Sequence, residues 1–210
     1  MLPARQFVLL PHTHMKNSAV SIIILAAGNS SRLGLPKQLL QYKSKSFLRH
    51  IAEKALVLRP LEVIVVLGYE PDRMQSEIED LKIRSVLNGE WEEGIASSIR
   101  AGINAVDPHA EGALISLCDQ PAVTPELLSQ LISLCSHEKP IAASEYNHIL
   151  GVPTCFARSI FPELLLLQGD AGAKRVIGQD STRVTSHLFP LAAVDIDTIE
   201  DYQNQHFRSE

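Results

Sequence analysis

The stretch Val20–Ala26 reads V-S-I-I-I-L-A, a β-branched apolar run broken only by Ser21 and ending at Ala27-Gly28. A strand of this composition has no polar face, so it must be covered on both sides, as in a sheet with helices packed on each face. Similar runs recur. Glu62–Leu67 ends at Gly68, Ile83–Leu87 ends at the loop Asn88–Gly94, and Ala113–Cys118 delivers Asp119 at its carboxyl end. Helical patterns separate them. Phe47–Leu58 puts Phe47, Leu48, Ile51, Ala55 and Leu56 on one face. Pro71 suits the first position of a helix through about Leu81, and Ile95–Ala105 reads as another. The alternation specifies an α/β fold, three layers around a mostly parallel central sheet with right-handed crossovers.

The second half continues the pattern. Thr124 caps a helix with Pro125 at its first position and Leu127, Leu128, Leu131, Ile132 and Cys135 inward. Strand-like pieces follow at Ile141–Ser144 and Pro153–Phe156, a helix near Ser159–Leu167, another starting around Ala171, and a strand near Val184–His187. Thr198 caps a last helix with Asp201 as its capping-box partner. The stretch before Ser18 has no periodicity and carries Pro3, Pro11, His12 and His14. We read residues 1–18 as a flexible leader, with Met15 a candidate start and no ligand role for the two histidines, and residues 19–210 as one domain.

Composition removes several classes of function. A chain of 210 residues suits one domain, and 45% hydrophobic with 20% charged residues is ordinary globular usage. The net charge is −5, from 19 basic and 24 acidic residues, with no basic run to grip a nucleic acid or an anionic membrane. The longest strongly apolar stretches, Ile22–Ala27 and Leu164–Leu167, fall far short of the ~20 residues that span a bilayer. Cys118, Cys135 and Cys155 are odd in number and widely spaced, as reduced thiols in a cytoplasmic protein would be.

In parallel sheets ligands bind beyond the carboxyl ends of the strands, and two loops with unusual chemistry fall there. The first is Gly28-Asn29-Ser30-Ser31-Arg32-Leu33-Gly34-Leu35-Pro36-Lys37. Small residues let backbone N–H groups face a ligand, hydroxyls add donors, and Arg32 and Lys37 add permanent charge, together enough to wrap a triphosphate. Neither G-x-x-x-x-G-K-[ST] nor G-x-G-x-x-G is present, which disfavours a Walker-type kinase or a nicotinamide dehydrogenase. The competing reading is a solvated surface loop. The second loop begins at Asp119, whose competing reading is a turn aspartate bonded to its own backbone ahead of Pro121.

Leu25–Lys37, L-A-A-G-x-S-x-R-x-G-x-P-K, resembles the signature loop of nucleotidyltransferases with the GT-A-like Rossmann fold. Further segments narrow the resemblance to the molybdenum cofactor cytidylyltransferase family. They are Cys118-Asp119-Gln120-Pro121, Trp91-Glu92-Glu93-Gly94 with Ser97-Ser98 and Gly102, Gly151-x-Pro153 with Phe156, Gly169-Asp170-x-Gly172-Ala173, and Asp195-Ile196-Asp197-Thr198. The similarity runs from about Val20 to Tyr202. It implies transfer of CMP from CTP to the terminal phosphate of molybdopterin or its molybdenum form, with pyrophosphate released and Mg²⁺ as cofactor. A client molybdoenzyme is a further implied partner.

The resemblance also distributes roles. Lys37, Arg32 and Asp119 are the candidate catalytic residues. Leu25, Ala26, Ala27, Gly28, Ser30, Gly34, Asn88, Gly94 and Ser98 are the candidate nucleotide contacts. Gln120, Gly151, Pro153, Gly169, Asp170 and Gly172 are the candidate acceptor contacts, and Asp119 with Asp197 the candidate metal ligands. Asp197 has an equal alternative as N-terminal charge for the last helix. Ala27, where guanylyl relatives tend to carry Gly, argues for CTP over GTP. Lys174 stands where Arg is usual, keeping the charge but not the two-pronged fork. Leu150 replaces a common basic residue, Ile199 a proline, and Leu33 a frequent Met. The rival functions are the GTP-using counterpart, transfer to a sugar 1-phosphate or another small phosphate, and a non-catalytic cofactor carrier.

Overall fold

The computed structural model describes residues 14–30 and 34–190. Its strands are β1 (Val20–Ala26), β2 (Gln41–Tyr42), β3 (Lys45–Ser46), β4 (Glu62–Leu67), β5 (Arg84–Leu87), β6 (Gly112–Leu117), β7 (Ile141–Tyr146), β8 (Ile149–Ala157) and β9 (Val184–Leu188). Its helices are α1 (Phe47–Val57), α2 (Pro71–Ser76), α3 (Ile95–Asn104), α4 (Pro125–Leu134), α5 (Phe161–Leu165) and α6 (Lys174–Ile177). Seven strands form one sheet in the order β5-β4-β1-β6-β8-β7-β9. β8 pairs antiparallel with both β6 and β7, and the other pairings are parallel, so the mostly parallel sheet expected from the sequence is present.

β1 explains why its sequence is apolar at successive positions. Ile22 and Ile24 face one layer with Leu48, Ile51, Met74, Leu128 and Leu131. Ile23 and Leu25 face the other, with Ile99, Ile103, Leu164 and Val176. The whole strand is buried. The expected Thr124 cap is in place, its hydroxyl accepting from the Leu127 N–H at 3.3 Å; Ser46, not read as a cap from the sequence, also caps α1 by accepting from the Arg49 N–H.

Three elements differ from expectation. α2 stops at Ser76 rather than Leu81. The Glu77 carbonyl, which a continuing helix would offer to the Leu81 N–H, instead accepts from Arg49 at 2.9 Å, and the Leu81 N–H turns to Ile78. β8 begins at Ile149, four residues before the expected Pro153. Gly151 and Pro153 read as strand breakers, but the ladder shifts register between Ala143 and Ser144, and the Ser144 hydroxyl donates to the Pro153 carbonyl at 2.8 Å. The helix expected near Ser159–Leu167 is divided into a 3₁₀ turn, Arg158–Ile160, and the five-residue α5.

Of the segment read as a leader, residues 14–18 are described. His14 Nδ1 lies 2.7 Å from the Ser133 carbonyl, and Met15 packs against the core beside Gly112. The expected helix capped by Thr198, and Asp195, Asp197, Ser31, Arg32 and Leu33, lie outside the described residues. Among the described residues no helix is long and apolar enough to cross a membrane.

Candidate active site

A cavity of about 580 Å³ opens at the carboxyl ends of β1 and β6, bringing together Leu25, Ala26, Ala27, Gly28, Ser30, Lys37, Gly94, Ser98 and Asp119 from the sequence-derived set. Parallel pairing of these strands, with Leu25 opposite Leu117, sets the loop after β1 beside the loop after β6. Lys37 Nζ stands 3.4 Å from Asp119 Oδ2, and both side chains are largely shielded at 14% and 19% exposure. The loop that carries Lys37 is held by its own residues. Ser30 takes a left-handed φ of 52°, and its hydroxyl accepts the Lys37 backbone N–H at 3.0 Å. Gly34 also lies at positive φ, where the lack of a Cβ costs least.

Two residues not singled out from the sequence shape this loop. Gln38 is buried, and its amide nitrogen donates to the Ala26 carbonyl at 2.9 Å and the Gly28 carbonyl at 2.6 Å. It satisfies two acceptors that the strand leaves behind as it turns. Gly68 lets β4 and the 88–94 loop approach Ala27, because a Cβ there would sit 2.7 Å from the Ala27 carbonyl oxygen and 2.7 Å from Trp91 Cβ. The Tyr69 N–H donates to that same carbonyl, and its ring meets Trp91 edge-on. Ala27 is thereby fixed from below, with Trp91 forming a cavity wall.

Asn88 stands behind the lining. It is buried, donates to the Ser97 hydroxyl at 2.8 Å and the Ser98 hydroxyl at 3.1 Å, and accepts the Glu90 N–H at 3.0 Å. It thus orients the start of α3. Gly94 has φ 120°, and a Cβ there would lie 2.5 Å from Asp170 Oδ1 and 2.6 Å from the Gly169 carbonyl oxygen. The segment Gly169–Gly172 therefore backs the Gly94 wall rather than lining the cavity. It is latched there, since Ala96 N–H donates to the Gly169 carbonyl and Gly169 N–H to Glu93, each at 3.0 Å. Arg100 grips the same Glu93 carboxylate through both terminal nitrogens and donates to the Leu167 carbonyl at 2.7 Å. Chiefly through Arg100, the Glu93 carboxyl is held down at about 2.

The remaining candidates sit on the β8 side. Gln120 is buried and its amide lies 3.4 Å from the Val152 carbonyl, tying the Asp119 loop to β8. Gly151 lies under Tyr146, where a Cβ would approach the phenol oxygen to 2.5 Å and Lys174 Cε to 3.1 Å. Pro153 is buried within the strand. These residues flank the cavity without lining it. On the opposite side of the Asp119 loop, Lys54 of α1 donates to the Pro121 carbonyl at 2.7 Å and the Val123 carbonyl at 2.5 Å. Cys118 is buried, and burial with the neighbouring Asp119 charge pushes its thiol far above its ordinary range, so it packs as a small apolar group and is no nucleophile.

For a metal, Asp119 offers the hard oxygen donor that Mg²⁺ or Mn²⁺ prefers, at the mouth of a cavity large enough for a nucleotide whose phosphates could complete the shell. Among the described residues no three His, Cys, Asp or Glu converge on one point. Asp119 and Glu92 are the carboxylates that line the cavity.

The family of MobA-like NTP transferase domains matches residues 22–184, which takes in every strand of the large sheet from β1 to the start of β9. The chain belongs to that family. By family it is a nucleotidyltransferase, and its sheet supplies the expected Rossmann-like architecture. One curated relative, the nicotine blue oxidoreductase of Paenarthrobacter nicotinovorans, is 31% identical over 170 residues, covering 76% of this chain and 82% of the relative. Among solved structures, the homolog of Mycobacterium tuberculosis Rv0371c from Mycobacterium sp. strain JC1 superposes with a TM-score of 0.80 at 31% identity, covering 91% of this chain and 97% of that one. The manganese complex of Rv0371c from M. tuberculosis H37Rv gives 0.75 at 27% identity, covering 89% and 97%. This MobA-like chain thus shares its fold with solved proteins over about nine-tenths of its length, and one of them has been solved with manganese.

Proposed function

We propose that this MobA-like nucleotidyltransferase transfers CMP from CTP to the terminal phosphate of molybdopterin or its molybdenum form and releases pyrophosphate. The observation that carries the reading is the Lys37–Asp119 pair at the mouth of a cavity floored by the Ala26–Ser30 loop. An acceptor phosphate oxygen attacks the α-phosphorus, a new P–O bond forms, and the bond to the pyrophosphate oxygen breaks. Such a transfer asks the protein for alignment and positive charge on the phosphate oxygens.

Each part of the chain then has a task. Lys37 places its ammonium on the phosphates, with Arg32 as the second cation of the loop. The backbone from Ala27 to Gly34 wraps the β- and γ-phosphates, and Leu25 and Ala26 end the strand beneath them. Asp119, with Asp197 as a second carboxylate, would hold Mg²⁺, and bound there the ion neutralises charge on the phosphate chain. The manganese complex of a relative supports a divalent ion at such a site. Ser98 and Gly94, oriented by Asn88, border the base, and Ala27 favours cytosine. Gln120, Gly151, Pro153, Gly169, Asp170 and Gly172 serve the acceptor side, from which a client molybdoenzyme would receive the product. Three buried free cysteines support a cytoplasmic setting.

The oxidoreductase name of one relative describes that protein. The loop here has no G-x-G-x-x-G for a dinucleotide, which favours nucleotidyl transfer. The deciding experiment is pyrophosphate release with Mg²⁺ and molybdenum cofactor, comparing CTP with GTP, ATP and UTP. Release with CTP alone is expected. A GTP preference would keep the reaction and overturn the argument from Ala27. Silence with all four in protein that binds the cofactor would favour the carrier function, and silence without binding would point to another acceptor.

A further inference from the structure

We propose that Lys54 is a positioning residue of the transfer site, holding the loop after β6 so that Asp119 faces Lys37; the inference rests on the nucleotidyl-transfer reading above. Lys54 is half-buried near the end of α1, and its ammonium donates to two carbonyls of one loop, Pro121 at 2.7 Å and Val123 at 2.5 Å. Among the described residues it has no carboxylate at ion-pair distance. Its stem alone could be replaced by an apolar side chain of similar length without the cost of desolvating a charge. Burial, helped by the nearby Lys43 charge, pulls its pKa down to about 8. A destabilised cation kept against two carbonyls serves those carbonyls.

The position of the loop gives the service its meaning. Asp119–Val123 leaves β6 and must reach the Thr124 cap of α4, turning once through the Val123 N–H to the Gln120 carbonyl at 3.1 Å. Gln120 ties one side of it to β8 through Val152. Lys54 ties the other side to α1. The same helix begins at the far end of the phosphate loop, where the Phe47 N–H donates to the Leu40 carbonyl at 2.9 Å. α1 is therefore a strut with the Lys37 segment at one end and the Asp119 loop near the other, and Lys54 makes the second joint.

The test uses the full chain with Lys54→Met and Lys54→Arg. Amide hydrogen exchange is read across residues 119–123 without any ligand, together with Mn²⁺ affinity, kcat and KM for CTP, and melting temperature. In Lys54→Met, exchange in that loop should quicken at least about tenfold while α4 stays protected. Mn²⁺ affinity and kcat should fall about 10–100-fold, the range seen when residues that orient a metal ligand are lost. The melting temperature should hold, since relief of the shielded charge offsets the lost donor to two part-buried carbonyls. Lys54→Arg, which restores the donors, should recover most of the loss. Unchanged loop exchange and Mn²⁺ affinity in Lys54→Met would overturn the proposal, as would a lower melting temperature with full kcat. A wild type inactive with every nucleotide would sink the transfer reading alone, because the exchange measurement needs no substrate and still decides the role of Lys54.

Discussion

Lys37 Nζ and Asp119 Oδ2 lie 3.4 Å apart although 82 positions separate the two residues along the chain. Side-by-side pairing of β1 and β6 makes that contact, since each strand ends at the same edge and turns into a loop that carries one member of the pair. The pair is largely shielded, so each group gains from the other in a medium less polar than water. An arriving nucleotide with its metal offers both groups new partners of the right sign, phosphate for the ammonium and cation for the carboxylate. The free site is thus preset for the ligand it is proposed to bind.

Removing either charge should therefore disable turnover without unfolding the chain. Lys37→Ala and Asp119→Asn are each expected to lower kcat about 10²–10³-fold, the scale found for single groups that stabilise transition-state charge. Pyrophosphate release alongside circular dichroism checks this. Near-wild-type turnover in either variant would remove that residue from the mechanism.

Gln38 predicts a stability effect rather than a chemical one. In Gln38→Leu the buried Ala26 carbonyl and the part-buried Gly28 carbonyl lose their donor. Leaving one buried acceptor unsatisfied should cost about 1–3 kcal/mol in denaturant unfolding. Nucleotide binding should weaken as well, because those carbonyls belong to the loop proposed to wrap the phosphates. A variant as stable as the parent would show that the loop keeps its path without Gln38.

The latch of Glu93 and Arg100 predicts a pH effect with a definite sign. The Glu93 carboxyl titrates at about 2 in the fold, against an ordinary value of 4.5, because Arg100 and the Gly169 N–H favour its charged form. Its contribution is present above about pH 4.5 and is lost as pH falls toward 2. Arg100→Met should flatten that part of the acid-unfolding curve and, at neutral pH, raise KM for the nucleotide by loosening the Gly94 wall. Acid titration of both proteins, followed by fluorescence of Trp91, is the measurement. An unchanged curve would mean that the latch adds nothing to stability.

His50 gives a pH effect of the same sign from a different cause. Burial first, and then the charges of Lys54 and Lys43, lower its pKa from 6.5 to about 4. Because the unfolded chain takes up the proton first, stability should fall as pH drops from 6.5 to 4 and the loss should then level off. Half-exposure limits the loss to about 1–2 kcal/mol. His50→Phe, which keeps a ring against Tyr42, should remove this slope, as thermal melts across the range would show. A slope that persists would assign it to other groups.

What the sequence made legible followed from local constraints. β1, β4 and β6 could be read directly, because strands covered on both faces must be apolar at successive positions. Lys37 and Asp119 could be set on one edge in expectation, because ligands of parallel sheets gather at the carboxyl edge, but their direct contact could not. What stayed hidden depended on partners distant in the chain. The end of α2 is decided by Arg49 taking the Glu77 carbonyl, and the length of β8 by a register shift that accommodates Pro153. Gln38 and Lys54 looked like ordinary polar residues of a turn and a helix face. Their roles arise from carbonyls that the fold brings to them. The motif Gly169-Asp170-x-Gly172 was visible, but only the closeness of Gly94 shows that its residues back the wall of the cavity.

That closeness has a consequence for anyone who would re-engineer the site. Position 94 tolerates no side chain while Asp170 and the Gly169 carbonyl lie within 2.5 and 2.6 Å of where its first carbon would stand. The stretches around 90–98 and 167–172 are thus two halves of one packed wall. Grafting either alone from a relative with a different base or acceptor would set mismatched surfaces against each other, whereas moving both together would carry the whole wall across intact.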